Sequence, residues 1–403
     1  MRLKRPIPLI ALTILALAGF PVPAHTQEVR GEIQKVKPLW AVDLRPLGFR
    51  KPRRGIVNDY GSYCAVAMSR SHVAVIFDVT IETGSSIELG CLKIPVRDRG
   101  VVLASFDDVS GNRSGMKLFD APFTHYELFD TSEGRFILVI HQKGKTKEVG
   151  GTLLAILSPT LMEEKRVELP VSEGQQLEYW EVKISPTRKS ILLQHIRHIA
   201  KGILNGDVNV QNRLLDAETL TLRKSWEDRE RVWSITDHDL LCKPRRSTKA
   251  PDSVYVRKGE TPWRAIGVIP GNPRFLSDDF IVAAGGLHDR SGNMEAYNTN
   301  GDRVFSHDLK IAGKRTRIHE VVASSEGTRF AAAVDTCVDN RCYGDRRFVL
   351  VWDITRQVPI FALRVSARAP MFLPVALSPD GSRLGVVNES KLEVYQLPGS
   401  PRK

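Results

Sequence analysis

The sequence lacks the short motifs by which many hydrolases and metalloenzymes are recognised. It contains no Gly-x-Ser-x-Gly elbow, no His-Glu-x-x-His pair and no cysteine–histidine dyad at the spacing of a known family. Gly144-Lys145-Thr146 is similar to the end of a phosphate-binding loop, but Val139 occupies the position of the required upstream glycine, so we expect a hairpin turn there. We therefore predict that the chain has no catalytic residues, binds no cofactor and holds no metal.

A second apolar run of membrane length is also missing from the chain. Three basic residues among the first five precede an apolar core at 9–20, which is shorter than the roughly 20 residues of a membrane span and typical of a signal peptide. Val22 and Ala24 predict cleavage after Ala24, and no cysteine follows to mark a lipoprotein. An uncleaved anchor is the alternative, which Pro21 and Pro23 disfavour because they break a helix. We expect a mature chain of 379 residues, periplasmic or extracellular.

Positive charge exceeds negative charge, with a formal net charge of +12 for the whole chain and +9 after the signal is removed. A nucleic-acid-binding protein is one interpretation. We favour a solvated loop face instead, because we expect export and because the basic clusters occupy turn-like segments. These clusters are Arg50-Lys51-Pro52-Arg53-Arg54, Lys143/Lys145/Lys147, Lys243-Pro244-Arg245-Arg246 and Lys310/Lys314/Arg315/Arg317. Anionic glycans, lipid headgroups and acidic proteins stay open as partners.

The chain has only five cysteines, and all of them lie in the mature part, where an oxidising compartment permits disulfides. Cys337 and Cys342 flank a short loop that can bring their sulfurs together, and we predict that bridge first. Cys64 and Cys91 fall in one repeat and form the next predicted pair. Cys242 is then left over, and we expect it to be buried beside Leu240 and Leu241. The spacing matches no zinc site.

A turn rich in Ser, Asp, Pro and Gly recurs along the chain between two short apolar segments. Seven hydroxyl residues mark it at intervals of roughly 40 to 65 residues, the range of propeller blades with loop insertions. They are Ser69, Ser132, Ser185, Thr236, Ser277, Ser325 and Ser378. Two more strand-like runs follow each turn, so each unit supplies four strands.

The last unit is one strand short, while residues 38–44 form an orphan strand before the first complete unit. Pairing the two closes a ring and removes the exposed edge of the sheet. We therefore predict an all-β, seven-bladed β-propeller whose last blade is completed by the N-terminal strand. The predicted divisions are a signal peptide (1–24), a linker (25–37), the propeller (38–397) and a tail (398–403).

Two segments carry a resemblance to a known superfamily. Val375-Ala-Leu-Ser-Pro-Asp-Gly381 and Val351-Trp-Asp-Ile354 resemble the repeats of WD40/YVTN-like propellers, with weaker forms from Leu39 to Leu397, and a bacterial exported member is the nearest match. The Gly-His dipeptide of typical WD40 blades is absent and Trp-Asp occurs once, so the Asp-His network of that family is not carried over. The resemblance implies scaffolding or ligand binding at one face of the disc and implies no reaction.

Two segments outside the channel contain residue types that can bind metals, but their spacing does not favour a metal site. His195 and His198 are three apart in a strand-like run, which places them on opposite faces and argues against a shared metal. The segment 298–302 has the oxygen-rich look of a calcium loop, but lacks the later bidentate glutamate, so we predict a plain turn.

The first strand of each propeller blade lines the central channel, so side chains from different blades can converge there. The candidates are His125, Glu127, Glu178, Arg231, Arg274, His319 and Glu320. A hydrated polar channel is the favoured interpretation, and a metal or acid–base site of the kind found in propeller lactonases is the alternative. We accordingly favour a non-catalytic, monomeric binding or scaffolding module for a protein, glycan or envelope partner over a channel hydrolase or lactonase.

Overall fold

The protein is built from seven small antiparallel sheets and forms a seven-bladed β-propeller, as predicted. The computed structural model describes residues 28–29, 36–49, 64–89, 92–119, 123–143, 149–170, 178–199, 207–228, 231–242, 253–269, 272–284, 293–311, 313–326, 328–336, 347–356, 358–366 and 374–399. Within these ranges the only helix is a 3-10 turn, Arg45–Leu47, and no helix is long and apolar enough to cross a membrane.

The strands follow one another blade by blade along the chain. Two strands come first, β1 (Glu28–Val29) and β2 (Trp40–Asp43). Blade 1 contains β3 (Cys64–Met68), β4 (His72–Leu89), β5 (Leu92–Asp107) and β6 (Arg113–Phe119). Blade 2 contains β7 (Phe123–Asp130), β8 (Phe136–Lys143), β9 (Val149–Leu157) and β10 (Glu163–Leu169). Blade 3 contains β11 (Glu178–Ile184), β12 (Ser190–Ile199), β13 (Asp207–Asp216) and β14 (Leu222–Asp228). Blade 4 contains β15 (Val232–Ile235), β16 (Asp239–Cys242), β17 (Ser253–Lys258) and β18 (Arg264–Val268).

The remaining three blades continue the pattern. Blade 5 contains β19 (Asn272–Phe275), β20 (Phe280–Ala284), β21 (Asn293–Asn298) and β22 (Arg303–Asp308). Blade 6 contains β24 (Lys314–Ala323), β25 (Arg329–Thr336), β26 (Arg347–Asp353) and β27 (Val358–Val365), and it is extended by β23 (Lys310–Ile311), with which β1 pairs in parallel. Blade 7 contains β28 (Val375–Leu377), β29 (Arg383–Asn388) and β30 (Lys391–Gln396).

The N-terminal strand closes the ring in the predicted way. Strand β2 pairs antiparallel with β30, with Trp40 opposite Val394 and Asp43 opposite Lys391, and so supplies the outermost strand of blade 7. Backbone bonds from Leu39 to Val394 and from Leu44 to Ser390 extend this contact at both ends. The two ends of the propeller are thereby joined in one sheet.

Each first turn, between the first and second strands of a blade, is fixed by a hydroxyl that accepts backbone N–H groups. Ser69 accepts from His72, and Ser378 accepts from Arg383. In blades 2 and 6 the predicted residue is one position too late, because Thr131 and Ser324 make this bond in place of Ser132 and Ser325. In these two blades the hydroxyl belongs to the residue that directly follows the first strand, and two hydroxyl residues in succession conceal which one makes the bond.

The third turn, between the third and fourth strands, repeats as well, and the sequence reading missed it. Asp107, Asp216, Asn298 and Asp353 each accept backbone N–H groups two residues or more ahead, which is the Asx-turn mechanism. Asn298 accepts from Asn300 and Asp302, so this segment is the plain turn that was predicted.

The hydrophobic core is divided among the seven seams between neighbouring blades. Each seam contains its own cluster of buried side chains, such as Phe136 and Leu153 with Leu103 between blades 1 and 2. Strands that face a neighbour on both sides are apolar at nearly every position, as in β25 and β26. Adjacent blades therefore depend on one another for burial.

Three arginines at the start of a second strand tie their blade to the next one. Arg135 of blade 2 pairs with Glu218 in the third turn of blade 3 at 2.7 Å, and Arg329 of blade 6 donates to the carbonyl of Gly381 in blade 7 at 2.9 Å. Arg383 of blade 7 binds the carboxylate and the carbonyl of Asp108 in the third turn of blade 1. Trp40 Nε1 also donates to the Asp108 carbonyl, at 2.8 Å.

Replacing Arg383 with Gln should destabilise the ring, because it leaves the largely buried Asp108 carboxylate without its ion-pair partner. Breaking such a pair costs about 2–4 kcal/mol of unfolding free energy, which urea denaturation measures. Arg364→Gln on the exposed side of β27 is the control and should change stability by less than about 0.5 kcal/mol. Equal stability of the two variants would contradict this account of ring closure.

Candidate functional site

The first strand of every blade lies at the inner edge of its sheet and borders the channel. These seven strands are β3, β7, β11, β15, β19, β24 and β28, and neighbouring members such as β3 and β7 contact each other directly. The side chains on these strands define the candidate site.

A row of alternating charges, here called the channel belt, runs along the inner strands of blades 2 to 4. It consists of Glu127, Lys183, Glu181 and Arg231. Lys183 lies 3.6 Å from a Glu181 carboxylate oxygen and is close enough to Glu127 to lower the pKa of that carboxyl. Arg231 donates to Glu181 through Nε at 2.8 Å and through a second, shorter bond. Each belt charge is thus neutralised by its neighbour.

Two imidazoles flank the first carboxylate of the channel belt. His125 Nε2 lies 3.6 Å and His141 Nε2 lies 3.8 Å from the same oxygen of Glu127, and the two rings stack with centroids 5.7 Å apart. Burial alone would raise the pKa of Glu127, but His125, His141 and Lys183 together lower it to about 2. The carboxylate is therefore ionised at neutral pH. His125 is 46% exposed toward solvent, while His141 is largely enclosed and bonds Thr152.

His141 is a residue that the sequence reading missed, although a signal for it existed. It lies directly opposite His125 in the antiparallel pair β7–β8, and the two histidines are equally far from Glu133 in the first turn. Once a hairpin is identified, residues placed symmetrically about its turn become neighbours on one face.

The other predicted channel residues are distributed differently. Arg274 is exposed in β19, where it lies opposite Val282 of β20. Glu320 is half-buried in β24. His319 lies in the same strand, but its side chain is outside the described part of the chain.

Glu178 is enclosed, with its side chain only 1% exposed. It contacts His195 Nε2 and accepts from Arg197 Nε at 3.0 Å, both on the adjacent strand β12. His195 stacks on Trp180 at 4.3 Å, and the Arg213 guanidinium lies over the same indole at 5.4 Å. Burial, together with the charges of Arg197 and Arg213, lowers the pKa of His195 against the opposing effect of the Glu178 carboxylate, so this imidazole is neutral at neutral pH.

Another polar group lies between blades 1 and 2. Tyr126 and Asp78 are hydrogen-bonded, and burial together with the Asp78 charge raises the pKa of the tyrosine. The same two causes raise the pKa of the nearby Cys64 thiol. A thiol with a raised pKa is a weak nucleophile at neutral pH, so this cysteine is poorly suited to nucleophilic chemistry.

The remaining sequence predictions fall partly outside the described chain. Cys91, Cys337 and Cys342 are outside it, so both disulfide pairings stay predictions, and residues 144–146 are outside it as well. Cys242 is buried, as expected. His198 lies in β12, three residues after His195, but its side chain is outside the described part of the chain. No group of three metal-ligating side chains occurs among the described residues.

Comparison with known proteins supports the fold of this chain but does not identify its family. No family model and no curated protein matches this chain. Solved structures with a similar fold include the acylaminoacyl peptidase of Pyrococcus horikoshii, with a TM-score of 0.52 and 10% identity over 88% of this chain and 53% of that one. The β-propeller domain of the Trilobed protease from Pyrococcus furiosus matches with a TM-score of 0.50 and 9% identity over 85% of this chain and 95% of that one.

This chain spans about half the length of the acylaminoacyl peptidase that it matches. The Pyrococcus furiosus domain is described as having an open velcro topology, whereas here β2 pairs with β30 and closes the ring. At such low identity, these likenesses establish the propeller architecture alone.

The neutral, buried His195 should make stability depend on pH. Its pKa is lower in the folded protein than the ordinary 6.5, so the unfolded chain binds a proton that the folded one resists. The free energy of unfolding should therefore fall as pH is lowered from about 7 to about 5. His195→Gln should flatten this fall, and His238→Gln, at an exposed site, should preserve it. Denaturant titrations at several pH values measure it, and an unchanged slope in His195→Gln would refute the interpretation.

Proposed function

We propose that the protein is an exported, non-catalytic binding module that engages an envelope partner in the periplasm or outside the cell. We also propose that it is a member of the WD40/YVTN-like propeller superfamily. The signal-like N-terminus supports export, and the repeat segments ending in Gly381 and Ile354 support the superfamily.

The internal pairing of the channel belt is the observation that carries the non-catalytic assignment. A general base acts best when its pKa lies near the working pH and when it reaches a proton within about 3 Å. Glu127 has a pKa of about 2, and its charge is taken up by two imidazoles and Lys183. Glu181 is occupied by Lys183 and Arg231. These paired charges are therefore better suited to holding the inner strands together, as a brace of the channel wall, than to acid–base catalysis.

A brace of this kind is consistent with a binding role. The channel belt links three consecutive blades by charge pairs at their inner edge. A wall fixed in this way gives the surrounding loops and rim a rigid support, and binding sites are commonly carried by loops on such a scaffold.

A propeller hydrolase or lactonase is the second candidate, and one observation favours it. His125 is exposed beside an ionised carboxylate and stacks on a second imidazole, an arrangement that can hold and relay a proton. For this candidate, His125 would be the general base at the channel surface and Glu127 would orient it.

Turnover measurements separate the two candidates. We expect the purified protein to hydrolyse no member of a panel of chromogenic esters, glycosides and lactones faster than a buffer blank. Turnover that disappears in His125→Ala but persists in His238→Ala, at an exposed turn, would replace the binding proposal with the hydrolase.

Export predicts a defined mature N-terminus. Intact-mass analysis of protein recovered from the periplasm or medium should give a chain that begins at His25, after loss of 24 residues. Recovery of the full-length chain in the membrane fraction would instead support an uncleaved anchor.

A further inference from the structure

Blade 6 differs from the other blades on its channel side. Its sheet has six strands in the described ranges, whereas each of the other six sheets has four. The two additional strands are β23, which pairs antiparallel with β24, and β1, which pairs in parallel with β23. Because β24 is the first strand of its blade and borders the channel, both additional strands lie on the channel side of it.

Strand β23 is anchored by the propeller itself. Leu309 and Ile311 are buried in the seam between blades 5 and 6, in the same cluster as Phe305. Thr316 Oγ1 of β24 donates to the Leu309 carbonyl at 2.8 Å and fixes the start of the hairpin. The position of β23 therefore does not depend on its pairing with β1.

The edge of β23 that faces away from β24 can pair with another extended chain. An edge strand presents backbone N–H and C=O groups on which a further strand can be built. Here β1 covers this edge over two residue pairs only, with Glu28 opposite Lys310 and Val29 opposite Ile311. Two pairs form few hydrogen bonds, and parallel pairing is the less stable kind. The edge is thus preformed, and its present occupant is weakly held.

The hairpin of β23 and β24 concentrates positive charge on one face. Lys310 lies directly opposite Arg315, which places the two on the same face, and Arg317 follows on that face two residues later. Asp335 lies opposite Arg317 and pairs with Arg347 at 3.3 Å, so cations still outnumber carboxylates there. Like charges at directly opposed positions of a sheet are destabilising, so this face favours a negatively charged neighbour.

We propose that the free side of β23, here called the docking edge, binds an extended acidic segment of a partner protein. The segment would add to blade 6 as a parallel strand in place of β1. This proposal rests on the proposed role as a binding module and gives it a site and a kind of partner. A polypeptide is favoured over a glycan or a lipid because only a polypeptide carries backbone groups at the spacing of the ladder. The present occupant already places a glutamate, Glu28, opposite Lys310.

A peptide with the sequence of residues 25–35 is the probe, because it contains β1. The mature chain with Glu28→Pro and Val29→Pro, called the open variant, cannot form the β1 ladder, since proline lacks the backbone N–H. Fluorescence anisotropy should show that the peptide binds the open variant at least about tenfold more tightly than the wild type, in which the tethered β1 competes at high effective concentration. Circular dichroism should show the same β content in both proteins.

Charge substitutions in the peptide test the acidic preference and the register. Glu28→Lys should weaken binding to the open variant about fivefold, because it places a second cation opposite Lys310. Glu32→Lys changes the peptide charge equally, outside the two paired positions, and should weaken binding less. Arg30→Glu makes the peptide acidic and should strengthen binding about fivefold.

Two substitutions in the hairpin of the open variant test the receptor side. Arg315→Gln, at an exposed position on the cationic face, should weaken peptide binding about threefold, the effect of one exposed ion pair. Lys314→Gln is the matched control, because Lys314 is the neighbouring residue and its position lies on the opposite face of the same strand. It should leave the affinity unchanged.

Four results would overturn the docking edge. They are no binding of the peptide to the open variant, equal binding of a peptide that itself carries Glu28→Pro and Val29→Pro, and tighter binding of the Glu28→Lys peptide than of its parent. The fourth is a wild-type dimer in sedimentation that is lost in the open variant, which would assign the edge to a second copy of this chain. The peptide titrations involve no turnover, so their failure removes the docking edge alone, whereas turnover in the hydrolase panel removes the binding-module proposal independently.

Discussion

Closure of the ring at Asp108 is the contact on which the rest of the structure depends. A propeller has seven seams in place of one core, and every blade needs a neighbour on both sides to bury its strands. Blades 7 and 1 obtain theirs only when β2 pairs with β30 and when Arg383 and Trp40 meet at Asp108. Without this contact, two sheets would each expose an apolar face.

The sequence was sufficient for the architecture because the signals involved are local and repeated. A hydroxyl after a short apolar strand, followed by Gly or Asp and another strand, encodes a hairpin without reference to distant residues. Repetition then corrects individual errors: placing the turn at Ser132 instead of Thr131 left the blade count unchanged. Closure was also predictable, since an orphan strand and an incomplete blade complement each other.

The candidate site was predictable only at the level of strands. The channel set included His125, Glu127 and Arg231, but it missed Lys183 and Glu181, which hold two of these residues in place. It also included Glu178, but the side chain of Glu178 is buried and contacts His195 on the adjacent strand β12. The pairs of Glu127 with Lys183 and of Glu181 with Arg231 depend on the rotation of one blade against the next, and a strand pattern contains no measure of that angle.

Departures from the repeat are where a propeller can acquire a specific role. Blades 2, 6 and 7 have an arginine at the start of their second strand or directly before it, and this arginine ties each of them to the next blade. Blade 3 has Ser190 at this position. Its seam with blade 4 is held instead by Thr187 on Asp237, by Lys224 on Glu260 and by Arg257 between two indoles. Unsatisfied donors at Trp226 and Arg257 cost stability. A ring with six well-packed seams can tolerate that cost in the seventh.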